Sequence, residues 1–420
     1  MDCEKDYSRV LIINAQSMYK NNATGITLQS LWSGWDANCL LEVHSEQEAS
    51  DGQNHKMRSY CIPPSAIMKL AKGNAAQAVN NGIKADSIRN NRLSKIKSYL
   101  RELVVCALDS FQLDLDESVL TDIKKFKPQI IYTLGASIAI MRLVNQLSDL
   151  MNIPVVLHFM DNWSEYIQWE NNLLLVPYKH LLKKEMMGCL KRCKLVITIS
   201  PSMAKAYQKK FNKECLVLMN TVDTSQRTCS ISKTDEITHF VYAGGLHLDR
   251  WKALKDIACS IFQTSGNGIL DIYTSENNRK LYQKEFDSLP VMFHNAVPHE
   301  QVEGIYSKAD VLIHTEIESE QLKGYFKYSI STKIPEYLAT AKPILFYGPK
   351  DMKLFEYLSE NQVALTAGTK EELKSCVERL LSEEDFTQMG LNARCLAKKK
   401  HDRNTNQNEL RVAIQMCVNR

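Results

Sequence analysis

Short apolar runs alternate with amphipathic, helix-length stretches along almost all of this 420-residue chain, and that rhythm limits the possible folds more than any other feature. In the first half the strand-like runs are Val10 to Asn14, Leu103 to Leu108, Gln129 to Leu134, Pro154 to His158, Leu195 to Ser200 and Leu216 to Met219. Helical periods lie between several of them, as over Ile138 to Leu150 and Tyr178 to Arg192. The second half adds Ile237 to Ala243, Ile269 to Tyr273, Pro290 to His294, Val311 to His314, Pro343 to Tyr347 and Val363 to Leu365. Strand–helix repetition of this kind builds parallel sheets with helices on both faces. One core rarely organises more than roughly 250 to 300 residues, so the pattern divides in two. The expectation is an α/β protein of two Rossmann-like, doubly wound parallel-sheet domains facing a cleft, residues 1–222 and 237–397. Residues 223–236, rich in Ser and Thr and without an apolar period, form the linker.

Composition narrows the class of function. Hydrophobic residues at 44% and charged residues at 24% are those of an ordinary globular chain. A net charge of +4 is small for this length and argues against a nucleic-acid partner. The longest apolar run, Ile130 to Met141, stops at Arg142, short of the roughly 18 residues of a spanning helix. The charged start, Met1 to Arg9, leads straight into a strand and is no signal peptide, so a cytoplasmic location is expected. The 12 cysteines are scattered; Cys189 and Cys193 share one helix face with no second pair near, so no metal site is expected. The fingerprints G-x-G-x-x-G and G-x-x-x-x-G-K-[ST] are absent, which removes the main support for hydride-transfer and P-loop chemistry.

Open parallel sheets place ligands outside the carboxyl ends of their strands, so the loops that follow strands carry the candidate sites. After the first strand come Asn21-Asn-Ala-Thr-Gly25 and then a helix-like stretch from Gln29 to Trp35; Gly25 allows close backbone approach to a ligand, or simply a tight strand-to-helix turn. His158 ends a strand and is followed by Asp161 and Trp163, either a polar cluster on a cleft wall or a structural histidine with Asp161 as a cap. In the second half, Gly244 and Gly245 precede a helix beginning near Asp249 or Arg250, with Arg250 and Lys252 in its first turn. Cations there oppose the helix dipole unless an anion binds, although both could be solvated surface residues. The run Ser331-Thr332-Lys333-Ile-Pro335-Glu336 sets a hydroxyl pair, free N–H groups and a lysine at a helix start. Glu336, one turn in, can accept two hydrogen bonds from a vicinal diol such as a ribose.

The order of these elements resembles the retaining GT-B glycosyltransferases of family four, in particular those of bacterial polysaccharide biosynthesis. The resemblance runs through Gly25, the His158 to Asp161 loop, Ile197 to Met203, Asn220-Thr-Val-Asp223, Gly244 to Lys252, Phe293 to Val297, Ala309 to His314 and Ser331 to Pro343. It implies a GT-B fold whose second domain binds a nucleotide-sugar donor, and a C-terminal helix over 398–420 crossing back to the first domain. It makes Glu336 the second glutamate of the E-x7-E signature, holding the ribose, and puts Arg250 in the place of the phosphate-binding lysine. Val297 lies where the nucleobase is recognised, Gly25 approaches the phosphates, and His158 matches the active-site histidine with Asp161 beside it. The first glutamate of the signature falls at Tyr328; Glu316, Glu318 and Glu320 are the candidates to replace it. Gly245 stands where many relatives carry an arginine, leaving Arg250 and Lys333, with Lys252, to neutralise the diphosphate.

The implied reaction moves a sugar from a nucleotide-sugar to a lipid-linked saccharide in surface polysaccharide assembly. Cations and helix N-termini stabilise the leaving oxygen, so neither a metal nor another cofactor is demanded. Asp114-Leu-Asp116, the one D-x-D, reads as helix-start acids. Ten basic residues between Lys56 and Arg101 face the single acid Asp86, and Lys179, Lys183, Lys184, Lys191, Arg192 and Lys194 face only Glu185. Both clusters read as solvated helix faces or as docking sites for an anionic inner membrane leaflet. Two other readings are an inactive nucleotide-binding scaffold for a sister enzyme and a sugar-nucleotide 2-epimerase.

Overall fold

The computed structural model describes residues 7–20, 22–46, 57–62, 103–113, 115–164, 173–225, 237–264, 267–316, 324, 327–382 and 384–419. Among them, thirteen strands form two sheets in which every pairing is parallel. The contacts divide the chain into Met1–Met219 with Asn404–Arg420, and Asn220–Arg403.

The first unit holds β1 (Val10–Asn14), β2 (Leu40–His44), β3 (Arg58–Cys61), β4 (Ile130–Thr133), β5 (Val155–Phe159), β6 (Cys193–Thr198) and β7 (Cys215–Val217), in the order β3-β2-β1-β4-β5-β6-β7. Every residue of β1, β2, β4 and β5 is buried, which is why most of these strands read as unbroken apolar runs. The helices between them are α1 (Ala23–Trp32), α2 over 103–109, α3 (Glu117–Phe126), α4 (Ile138–Met151), α5 (Val176–Arg192) and α6 (Pro201–Phe211). Their ends follow local rules. Ser200 caps α6 through Met203 N and Pro201 takes its first position, while Asn212 closes it in the left-handed region at φ 52°.

The second unit holds β8 (Thr238–Ala243), β9 (Gly268–Thr274), β10 (Val291–Asn295), β11 (Val311–Thr315), β12 (Ile344–Tyr347) and β13 (Leu365–Ala367), in the order β10-β9-β8-β11-β12-β13. Between and after them run α7 (Arg250–Gln263), α8 (Glu276–Tyr282), α9 (His299–Lys308), α10 (Lys333–Thr340), α11 (Lys353–Glu360), α12 (Lys370–Leu381) and α13 (Thr387–Leu396). The last helix, α14 (Arg403–Asn419), buries Leu410, Ile414 and Cys417 in the cluster that holds Val10, Ile12, Trp32 and Tyr132 of the first unit. Just before it, Val222 N donates to His401 O at 2.8 Å and Arg403 N to Val222 O at 3.0 Å, so the two crossing segments pair as a short bridge.

The expected fold class holds, with differences in detail. Leu103 to Leu108, expected as a strand, lies in α2: Val104 and Val105 are 46% and 41% exposed while Leu108 is buried, which suits one side of a helix and no sheet. The strands β2 and β3 were not expected. Glu42 breaks the apolar run of β2, yet it is fully buried and accepts from Ser17 Oγ (3.0 Å), Ser59 Oγ (2.8 Å) and Met18 N (2.6 Å). The polar β3 is an edge strand with no core-facing run to read. The helix expected from Gln29 begins at Ala23, because Asn22 caps it through Gly25 N at 2.9 Å. Most of the linker, Lys56, Lys69 to Arg101, Asp114, Glu318 and Glu320 lie outside the described residues.

Candidate functional site

In the second sheet the strand order reverses between β8 and β11, and the connections after these two strands diverge there. Such a switch point opens a crevice at the carboxyl ends of the strands. The segment after β8 runs through Gly244 and Gly245 to the start of α7, and β11 delivers Glu316. Two consecutive residues before α7, Leu248 and Asp249, hold left-handed backbone at φ 57° and 58°. Non-glycine residues adopt that region at a cost, which the surrounding structure must impose. Asp249 gives α7 no side-chain cap; its carboxylate pairs with Lys252 at 3.1 Å.

Arg250 opens α7 and turns its guanidinium onto Glu316. Nη2 lies 2.9 Å from both carboxylate oxygens and Nε 3.1 Å from Oε2. The anion that the cations at this helix start call for is thus supplied from within the chain, by the residue that follows β11. The pair is 18% and 16% exposed, so it is largely screened from water. Burial alone would raise the Glu316 carboxyl, but His314 and above all Arg250 outweigh it and hold it at about 2. His314 Nε2 is 3.5 Å from Glu316 Oε1, too long for a strong hydrogen bond, so we assign most of the effect to Arg250. Burial lowers His314 itself, and neither of its ring nitrogens has a hydrogen-bond partner among the described residues.

Lys333, the first residue of α10, completes the group. Its Nζ lies 4.5 Å from the centre of the Tyr242 ring, with no carboxylate within 4 Å among the described residues. Burial first and the charge of Arg250 second bring this ammonium down to about 8, partly opposed by Glu316 and Glu336. Tyr242 is fixed in turn, its hydroxyl donating to Gly245 O at 2.7 Å. A side chain on Gly244 would overlap Lys333 Nζ, and one on Gly245 would overlap the His247 ring. The two glycines therefore make room for the protein's own side chains. His247 is depressed by burial, then by Arg250 and Lys333.

The α10 start is only loosely capped. Thr332 takes the cap position with helical backbone and no side-chain hydrogen bond; Ser331 Oγ lies 3.4 Å from Lys333 N. Both hydroxyls therefore stand near a helix start that they do not strongly close. Glu336 follows in the first turn, partly buried. Lys252, more than half exposed, is tied to Asp249, and Val297 lies between β10 and α9, outside the contacts that join Arg250, Glu316 and Lys333. His247, Tyr242 and His314 belong to the group although no motif marks them. The strand ends at Tyr242 and His314 were the available signal.

The remaining candidates belong to the first unit. Gly25 is buried in the first turn of α1, where a side chain would overlap Lys20 O, so the chain's own approach requires glycine. His158 is fully buried on β5 with its Nδ1 2.6 Å from Tyr132 Oη. Its Nε2 is buried with no hydrogen-bond partner among the described residues, and burial pushes the imidazole to about 3, so the ring is neutral at pH 7. Asp161 lies in the bend after β5. Among the described residues, no three His, Cys, Asp or Glu side chains are grouped to hold a metal ion.

No family model matches the sequence, and no curated protein matches it. Solved structures do match. HepE of Anabaena, crystallised in complex with UDP and glucose, superposes with a TM-score of 0.63 over 97% of this chain and 100% of its own, at 14% identity. Sucrose-phosphate synthase from Thermosynechococcus elongatus gives 0.60 over 97% and 96%, at 13% identity. WaaG, a glycosyltransferase involved in lipopolysaccharide biosynthesis, gives 0.54 over 95% and 98%, at 12%. At these identities the likeness is one of fold: the chain has the GT-B architecture of two parallel α/β units.

Proposed function

We propose that this protein is a retaining glycosyltransferase that moves a sugar from a nucleotide-sugar donor to a saccharide acceptor. The observation that carries the reading is the Arg250, Glu316 and Lys333 group at the switch point of the second sheet, on a fold shared with proteins crystallised with UDP-glucose. The diphosphate of the donor sits against Lys333, the open N–H groups of α10 and the free edge of Arg250, and Glu336 takes the ribose diol. In the reaction the bond from the anomeric carbon to the diphosphate oxygen breaks, and a bond from that carbon to an acceptor oxygen forms on the same face. The acceptor's proton passes to the departing phosphate. Charge grows on the leaving oxygen, and fixed cations and helix N–H groups stabilise it without reorganising. The residues present suffice for that role without a metal. Gly25 serves the donor phosphates and His158, with Asp161 beside it, the transferred sugar, with Val297 toward the base and Ser331, Thr332, Gly244 and Gly245 around the phosphates.

The acceptor we favour is a lipid-linked saccharide of surface polysaccharide assembly, met at an anionic membrane face. The outer side of α5 supports this, since Lys183, Lys184 and Lys191 are exposed along it with Val176 and Met187. No helix among the described residues is long and apolar enough to cross a membrane. The test is calorimetric titration with UDP, GDP and UDP-glucose, comparing the protein with Glu336→Ala. The reading requires micromolar binding of one nucleoside diphosphate and its loss in the variant. Unchanged affinity in Glu336→Ala would sink the assignment of the ribose contact, and binding without sugar transfer would favour a scaffold.

A further inference from the structure

We infer that Glu316 is a positioning residue for the donor's diphosphate: it grips one edge of the Arg250 guanidinium so that the opposite edge faces the ligand. The inference rests on the diphosphate reading above. Glu316 engages Nε and Nη2, and Nη1 has no hydrogen-bond partner among the described residues. A planar guanidinium held along one side presents its remaining N–H groups in a fixed direction, which a flexible arginine at a helix start would not do. The holder's backbone is itself held, with Glu316 N donating to Tyr347 O at 3.2 Å. Glu316 leaves the end of β11, next to His314, whose ring stacks on Phe346 at 5.8 Å with 21° between planes. Among the described residues Lys333 has no such partner, and it rests on the face of Tyr242. The two cations are thus built differently, one locked in direction by a carboxylate and one seated on an aromatic face with no carboxylate within 4 Å among the described residues.

The positioning role has a sign that simple charge does not. A carboxylate beside an anion site repels the ligand, so its removal should tighten binding if charge were all that mattered. If Glu316 aims Arg250, its removal weakens binding although a negative charge is lost. Pyrophosphate and UDP are titrated calorimetrically into wild type, R250A, E316Q, E316A and R250A/E316A at one ionic strength. The expected result is at least a tenfold loss in R250A, a five- to tenfold loss for both probes in E316Q and E316A, and a double variant no weaker than R250A alone. Binding by E316Q as tight as wild type or tighter, with R250A still weakened, overturns the positioning role and leaves the diphosphate reading standing. A double variant clearly weaker than R250A also overturns it, because Glu316 would then act by a route other than Arg250. R250A binding like wild type, or no binding by wild type, overturns both. E316Q, which keeps the shape of the side chain, carries the test if E316A does not fold.

Discussion

Gly244 and Lys333 share one space: a β-carbon on the glycine would overlap the lysine's ammonium nitrogen. The atom in the way is the free end of a flexible side chain. Gly244→Ala should therefore fold with a loss of about 1 kcal/mol or less, because Lys333 can swing aside. Nucleoside diphosphate affinity should fall about tenfold, since the cation leaves its seat on Tyr242. Thermal melts and UDP titrations of the same preparation check both halves. Gly25→Ala is the contrast, because backbone stands in the way there and the loss should be about 2 to 3 kcal/mol.

Lys333 sets a pH dependence with opposite signs for stability and for binding. Its folded value of about 8 lies below the ordinary 10.5. Between those values the unfolded chain binds a proton that the native protein does not, so stability from this group rises as pH climbs from about 8 towards 10.5. Anion binding needs the ammonium and should weaken as pH rises through about 8. Lys333→Met should stabilise the free protein by about 1 kcal/mol at pH 7 and abolish diphosphate binding. Denaturant melts and titrations from pH 6.5 to 9.5 read both trends.

Two histidines should make the fold acid-labile. Burial holds His158 at about 3 and His401 at about 4, against the ordinary 6.5. As pH falls below 6.5 the unfolded chain takes up protons at both sites while the native rings stay neutral. Stability should drop by about 1.4 kcal/mol per pH unit for each ring until the folded values are reached. His158→Gln and His401→Gln should each flatten the slope of urea stability between pH 6 and 4.5; unchanged slopes would show that both rings are already protonated in the native state.

The exposed side of α5 yields a test of membrane docking. Replacing Lys183, Lys184 and Lys191 by glutamate should abolish sedimentation with vesicles rich in anionic lipid at low salt, with roughly 1 kcal/mol lost per cation. Nucleotide titrations should be unchanged, since these residues lie in the first unit. Equal sedimentation of the variant would remove this face as the docking site.

Periodicity made the architecture legible because strands buried on both faces must be apolar throughout. It failed where tertiary contacts override local pattern. The buried carboxylate of Glu42 is tolerated in β2 only because two serines and a backbone N–H reach it from other segments. Among the candidate residues, the sequence marked Gly244, Gly245, Arg250 and Lys333 by their place after strands and at helix starts, and these four gather in one group. It could not show that Gly244 makes room for Lys333, since that side chain arrives from α10, far along the chain.

By itself, then, the sequence determined the alternation of strand and helix, the two parallel sheets and the helix starts, because these follow from residues close together in the chain. Only the tertiary structure decided that Arg250 meets Glu316 across 66 positions, or that Lys333 lies on Tyr242. These pairings depend on the strand order reversing between β8 and β11. Strand order is set by long-range packing of whole elements, and no local period in the sequence encodes it.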